Sequence, residues 1–204
     1  MDRILIKENA RKMVKGNLWY IWKPMVYLLL AVLPFAIILG IIDTAANADG
    51  AISSIGSSIV SIISTIFSVG YAYYCLGFVR GQRMEVKDIL EFIKKNWVVS
   101  LLASLLVGLN VLIGMILLII PGFIAAMGLS LYEFVIADNP ELPVTDALRK
   151  CWDITNGHKV EIFVFILSFI GWEILGALTL GILYIWLMPY MTIASVLVYE
   201  SLKK

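Results

Sequence analysis

Residues 98–137 read VVSLLASLLVGLNVLIGMILLIIPGFIAAMGLSLYEFVIA, and over that length Glu133 is the sole charged side chain. A helix needs ~20 apolar residues to cross the ~30 Å hydrocarbon core of a bilayer. The stretch therefore reads as a span over Val98–Ile120 and a shorter one over Gly122–Ala137. Pro121-Gly122 is the sole break in the run, and a tight turn there makes the two a hairpin.

Four more runs of the same kind lie outward from it, at Trp22–Ile42, Ile52–Val79, Val160–Leu178 and Ile182–Tyr199. The last two are expected to turn back near Thr179-Leu180-Gly181. The 204 residues are 61% hydrophobic and 15% charged, where a soluble domain is about half apolar and about a quarter charged. The mean hydropathy is +0.92. These figures predict an all-α integral membrane protein. About six transmembrane helices are expected, as three hairpins over 22–79, 98–137 and 160–200 in a single membrane domain.

The charges orient it. All 16 Lys and Arg fall in four places: Arg3 to Lys23, Arg80 to Lys95, Arg149 to Lys159, and Lys203-Lys204. The loops after the first, third and fifth spans carry none. Basic loops stay on the cytoplasmic side, so both termini are expected in the cytoplasm of a bacterium, with the chain in its plasma membrane. Trp19, Trp22, Trp97 and Trp152 fall at the inner boundaries, and Tyr184 and Trp186 near an outer one, where amphipathic rings belong. Ala46-Asn47-Ala48 after the first run resembles a signal-cleavage site. The run before it exceeds the ~7–15 residues of a signal core, so it reads as a span.

A short amphipathic helix is expected before each hairpin, over 1–20, 84–96 and 143–156. In the second, Val86, Ile89, Leu90, Ile93 and Trp97 share a face. Each ends at a similar joint: Lys15-Gly16-Asn17, Lys94-Lys95-Asn96-Trp97 and Asn156-Gly157-His158-Lys159. The pattern suggests three like-oriented repeats, a known transporter device.

Residues able to carry chemistry are few. Ser53, Ser57, Ser61, Ser64 and Ser68 share one face of the second span. Small hydroxylated residues let helices approach, which makes Ser57, Ser61, Ser64 and Ser68 candidate packing positions. Ionisable groups are costly in a membrane and often functional. Glu133 stands five residues before Asp138, ~7 Å inside at 1.5 Å per residue. Glu173, beside Trp172, is the deepest by sequence, whereas Glu161 and Glu200 fall near basic residues at the surface. Asn110 suits an interhelical hydrogen bond, and Pro34 and Pro189 suit kinks. The candidate functional positions are thus Glu133, Trp172, Glu173, Pro189 and Tyr190.

With one histidine, His158, and no phosphate-binding, zinc-protease or nucleophile-elbow motif, neither catalytic residues, metal nor cofactor are expected. The chain is not expected to be an enzyme. Cys75 and Cys151 sit in unlike surroundings, so no disulfide is expected. Nothing suggests nucleic acid.

Several stretches carry a resemblance. They are Leu167-Ser168-Phe169-Ile170-Gly171-Trp172-Glu173-Ile174-Leu175, Leu178-Thr179-Leu180-Gly181, Trp186-Leu187-Met188-Pro189-Tyr190 and Tyr199-Glu200-Ser201-Leu202. With Glu8-Asn9-Ala10-Arg11 and Phe78-Val79-Arg80-Gly81, they resemble bacterial domain-of-unknown-function family 975. More distantly the chain is similar to the membrane domain attached to some glycerophosphodiester phosphodiesterases. The resemblance implies fold and membrane location rather than an activity, and marks Gly171-Trp172 and Pro189-Tyr190 as places where the last hairpin packs. The chain departs from the family at Cys151 and at Thr155-Asn156-Gly157-His158-Lys159. The expected function is non-enzymatic binding or movement of a lipid or other amphiphile, with membrane lipids as partners. The rival is a structural or regulatory subunit that docks a second copy or another membrane protein through the serine face.

Overall fold

The computed structural model describes residues 2–46, 50–117 and 119–203, and of Ile119 only the backbone. Asn47 and Ala48 of the cleavage-like site, and Lys204 of the terminal basic pair, lie outside the described residues.

Ten helices make up the fold among those residues: α1 (Arg3–Val14), α2 (Leu18–Ala45), α3 (Ala51–Val79), α4 (Val86–Leu117), α5 (Ile119–Gly128), α6 (Tyr132–Asp138), α7 (Val144–Thr155), α8 (Lys159–Leu167), α9 (Ile170–Leu178) and α10 (Tyr184–Leu202). Among the described residues six stretches are long and apolar enough to cross a membrane, at Leu18–Ala45, Ala51–Val79, Val86–Leu117, Ile120–Asp138, Lys159–Leu178 and Tyr184–Leu202. The chain is a polytopic, all-helical membrane protein.

Local chemistry explains most boundaries. The Asp2 carboxylate accepts from the Ile4 and Leu5 amides at 3.1 Å and caps α1. Asp43, near the end of α2, accepts from the Ile52 amide at 3.1 Å and the Ser53 hydroxyl at 2.5 Å and so ties α2 to the start of α3. α3 stops where Gly81 takes φ 78°, with Gln82 N–H on Gly77 O at 2.9 Å and Gly81 N–H on Phe78 O at 3.0 Å. That is a left-handed cap with both of its characteristic bonds.

Two of the three expected joints share one turn. Lys15 and Asn156 are extended, Gly16 and Gly157 take φ 93° and 81°, and Asn17 and His158 take φ −119° and −114°. The second joint is a correction. Lys94-Lys95-Asn96-Trp97 runs without interruption inside α4, so the 84–96 helix and the third span are one element. This joint holds no glycine, and a residue with a Cβ does not readily enter the left-handed conformation that turns the other two.

Three further readings change. Pro121 and Gly122 lie in the first turn of α5, where a proline needs no amide partner, so the reversal precedes them. Gly122 instead serves contact: a methyl on Gly114 would stand 2.7 Å from its Cα, so the backbones of α4 and α5 touch. The fourth span breaks at 129–131, between α5 and α6. There a Cβ on Gly128 would meet Trp152 at 2.5 Å, and the Gly128 carbonyl accepts from Thr155 Oγ1 at 2.7 Å. The fifth breaks at Ser168-Phe169, between α8 and α9. The Lys7 ammonium reaches the Ser168 carbonyl at 3.5 Å and stands 4.3 Å over the Phe169 ring. Burial, and behind it Arg3, lowers the pKa of this lysine. The turn after α9 falls where expected, with Leu180 at φ 51° and Gly181 at φ 88°.

Packing follows a cyclic order. The amphipathic start of α4 lies on α3, α7 lies on α6, and α1 lies on α10. α3, α6 and α10 meet at the centre, where Tyr74, Val135, Ile193 and Tyr199 are fully buried. Cys75 and Cys151 are free and buried, and burial pushes the Cys151 thiol up to about 12.

Candidate functional site

The three central helices do not close completely. Between α3, α6, α8 and α10 lies a cavity of about 400 Å³, with Met25 of α2 at its edge. That is within the size range of small-molecule sites, ~300–1,000 Å³. Most of its wall is apolar, including Leu131, Phe134, Ile162, Phe165, Met188 and Met191.

Its polar groups come from four places. Ser68 and Tyr71 project from the second half of α3. Ser130 sits in the break before α6, and Glu133 in the first turn of α6. Thr192 and Ser195 come from α10. The break at 129–131 is what brings Ser130 and Glu133 to one wall: it restarts the helix at Tyr132 and puts Glu133 opposite Ser68. The Ser68 hydroxyl is 2.7 Å from Glu133 Oε1, and the Tyr132 hydroxyl donates to the same oxygen at 3.4 Å. Both contacts reach Oε1. Among the described residues Oε2 has no protein donor, and no Lys, Arg or His pairs with Glu133.

The remaining hydroxyls are committed. Ser130 donates to Met127 O at 2.9 Å, Thr192 to Met188 O at 3.0 Å and Ser195 to Met191 O at 2.9 Å. Tyr71 donates to Ile21 O at 3.2 Å, joining α3 to α2. Such back-bonding satisfies a hydroxyl inside a membrane helix and leaves its oxygen as an acceptor.

At one end of the central helices lies a charge cluster. Arg80 donates to Asp138 Oδ1 at 2.6 Å and through Nε to Glu200 Oε1 at 2.8 Å. Lys203 and Tyr199 reach the other Asp138 oxygen, Tyr199 at 2.8 Å. The bonds to Asp138, and behind them those to Glu200, push the Arg80 guanidinium up from its ordinary value against the opposing effect of burial. Sequence reading passed over this cluster. Its signal was present: Arg80, Asp138 and Glu200 each stand at the end of an apolar run, and their signs are opposite.

The other expected residues lie elsewhere. Glu173 is held at the start of α10 by the Tyr184 hydroxyl, 2.9 Å from Oε2. Trp172 is half exposed and leans on Trp186, with ring centroids 6.4 Å apart. Tyr190 stacks on Trp186 at 4.8 Å and meets Phe169 edge-on at 5.5 Å, so these rings join α9 to α10. Pro189 is buried within α10. None of the four lines the cavity. Along the serine face Ser57 and Ser61 are exposed, Ser64 is half-buried, Ser53 bonds Asp43 and Ser68 meets Glu133. Asn110 bonds back to Leu106 O at 2.8 Å within its own helix.

The fold and this intramembrane cavity define a polytopic helical membrane protein. Residues 110–204 match the model of the family described as "Protein of unknown function (DUF975)", so the second half of the chain is similar to that family. The match holds α6, α8 and α10 of the cavity wall, whereas α2 and α3 precede it. No curated protein and no solved structure matches the chain. The likeness to the membrane domain of glycerophosphodiester phosphodiesterases is not shown by these matches.

Proposed function

We propose that this protein is a non-enzymatic binder or carrier of an amphiphile, held in the cavity between α3, α6, α8 and α10. The observation that carries the reading is an apolar chamber of about 400 Å³ with a carboxyl group, Glu133, on its wall and no charged partner for it among the described residues. An ionisable group at membrane depth marks a functional site by default. The broken helices support the same reading, because irregular backbone within a membrane belongs where it lines a cavity. The cyclic packing of the three amphipathic segments supports a pseudo-threefold arrangement of three units around this chamber. In the proposed setting the protein lies in the bacterial plasma membrane with both ends in the cytoplasm. The cluster of Arg80, Asp138, Glu200 and Lys203 then seals the chamber from the cytoplasm, and the ligand enters from the lipid past Ile166 and Met188.

Native mass spectrometry with lipid analysis, on protein released from nanodiscs of its own membrane lipids, tests this. The expected result is a bound amphiphile at fixed stoichiometry, lost from Ser195→Trp, which fills the chamber, and kept by Ser57→Trp, which lies outside it. Bare protein that travels as a defined oligomer or with a protein partner would overturn the proposal in favour of a structural subunit.

A further inference from the structure

We infer that the head of the ligand is a positively charged amine or quaternary ammonium, an inference that rests on the amphiphile-binding reading above. It follows from the direction of the hydrogen bonds on the wall. Ser130 spends its proton on Met127 O at the end of α5, Thr192 and Ser195 spend theirs on carbonyls of their own helix, and Tyr71 spends its proton on Ile21 O. Ser68 has one proton and two acceptors, Thr65 O at 2.8 Å and Glu133 Oε1 at 2.7 Å, so it has none left for a guest. Glu133 Oε2 is an acceptor without a donor among the described residues. With Glu133 ionised, the side chains of the chamber thus offer acceptors throughout, and among the described residues no Lys, Arg or His lines it.

A guest must therefore bring the donors or the positive charge. A phosphate or carboxylate head would meet only oxygens. An uncharged sugar head would find its own hydroxyl oxygens without donors, each an unmade bond in an apolar site. An ammonium satisfies Glu133 directly. Tyr71, Phe134 and Phe165 line the same chamber, and aromatic faces beside a carboxylate are how quaternary ammonium groups are held. Met25, Met188 and Met191 supply an adaptable apolar wall for the chain of the guest.

The test places the whole protein in nanodiscs of uncharged glycosyl-diacylglycerol, so that no lipid charge concentrates either ion. Dodecyltrimethylammonium, dodecyl maltoside and dodecyl phosphate are titrated separately, with bound ligand counted by native mass spectrometry. The cation is expected to bind about tenfold more tightly than the uncharged probe. The phosphate should not be retained. Glu133→Gln should erase the preference and Glu133→Asp should keep part of it, with thermal unfolding showing both variants folded. The comparison among heads on the unmodified protein stands even if a variant fails to fold. Equal binding of cation and uncharged probe would overturn the charge inference and leave amphiphile binding intact. Failure of all three probes on folded protein would overturn both. A further arm adds phosphatidylethanolamine to the discs. Its retention, and displacement by the cation, would place the ammonium on a bilayer lipid, whereas retention of the single-chain cation alone would place it on a free amphiphile. Either result supports the positive head.

Discussion

α3 is one helix in two environments. From Val69 to Gly77 nearly every residue is buried by α2, α4, α6 and α10, and Val69 and Tyr74 are wholly inaccessible. From Ile55 to Ile63 the same helix leaves Ile55 63% and Ile62 47% exposed. α2 repeats the contrast, with Ile21 and Pro24 buried near its start and Leu29, Leu30, Ile37 and Ile41 exposed beyond. One end of the molecule is thus packed as a soluble core is packed. The other end presents apolar side chains for lipid to cover. A lipid tail is as apolar as leucine, so in the second region side-chain removal costs little, while in the first it leaves a void. The sharpest way to break this comparison is one kind of truncation at both ends of α3. Leu76→Ala is expected to cost about 3 kcal/mol of stability, and Ile62→Ala less than ~0.5 kcal/mol. Denaturant titration of both in the same micelles checks it, and equal losses would show that the first half of α3 is packed against something other than lipid.

The packed end also holds the charges. Asp138 is nearly buried, with 6% of its side chain exposed, and accepts from Arg80, Lys203 and Tyr199. Removing Arg80 leaves Asp138 and Glu200 with a lost partner in a poorly solvated place. Because a third of the arginine side chain is exposed, the full cost of breaking a buried pair is discounted. Arg80→Ala is expected to lose about 2 kcal/mol. Asp138→Asn in the same background should restore part of that, and the double-mutant cycle measures the coupling. Additive losses would mean that the cluster is a surface ion pair and not the lock between α3, α6 and α10.

A smaller effect belongs to the break that places Glu133. Thr155 donates to the Gly128 carbonyl at 2.7 Å, beside the weaker Cys151 thiol, which reaches the same oxygen at 3.5 Å. Thr155→Val keeps the shape and should cost about 1 kcal/mol. It should also loosen the binding of any ligand held at Glu133, read as a faster off-rate in the nanodisc titration.

How much of this was legible in the sequence depended on range. Apolar length announced the spans, and Gly16 and Gly157 announced two sharp joints because each takes a positive φ. The absence of glycine between Lys94 and Trp97 was equally visible, yet likeness of charge and aromatic pattern outweighed it, and α4 proved continuous. Hydroxyl spacing put Ser68 on a face but could not say that Glu133, distant in the chain, would stand opposite it. Depth by counting favoured Glu173 over Glu133. The difference arises because a helix break at 129–131 turns Glu133 into the centre, while Tyr184 holds Glu173 near the turn between α9 and α10. Breaks of this kind are set by tertiary contacts, Trp152 and Thr155 at one and Lys7 at the other, and a local pattern does not carry them.

The lipid-facing end also holds a buried carboxylate, and it gives the finest test of the contrast. Asp43 is 8% exposed although its neighbours Ile41 and Ile42 are open, because its carboxylate is turned onto the start of α3. The Ile52 amide it accepts from is one of the first amides of α3, which have no partner within the helix. Asp43→Ala removes a cap and should cost about 1 kcal/mol if that end contributes to global stability. If the packed end alone sets the global value, the denaturation midpoint will not move. Hydrogen exchange at residues 51–54 will still rise, since those amides open locally. Unchanged midpoint with faster exchange is the expected pair of results. A shifted midpoint with Asp43→Ala, equal to that of Thr155→Val, would show that the two ends unfold as one unit and that the contrast along α3 is one of solvent and not of cooperativity.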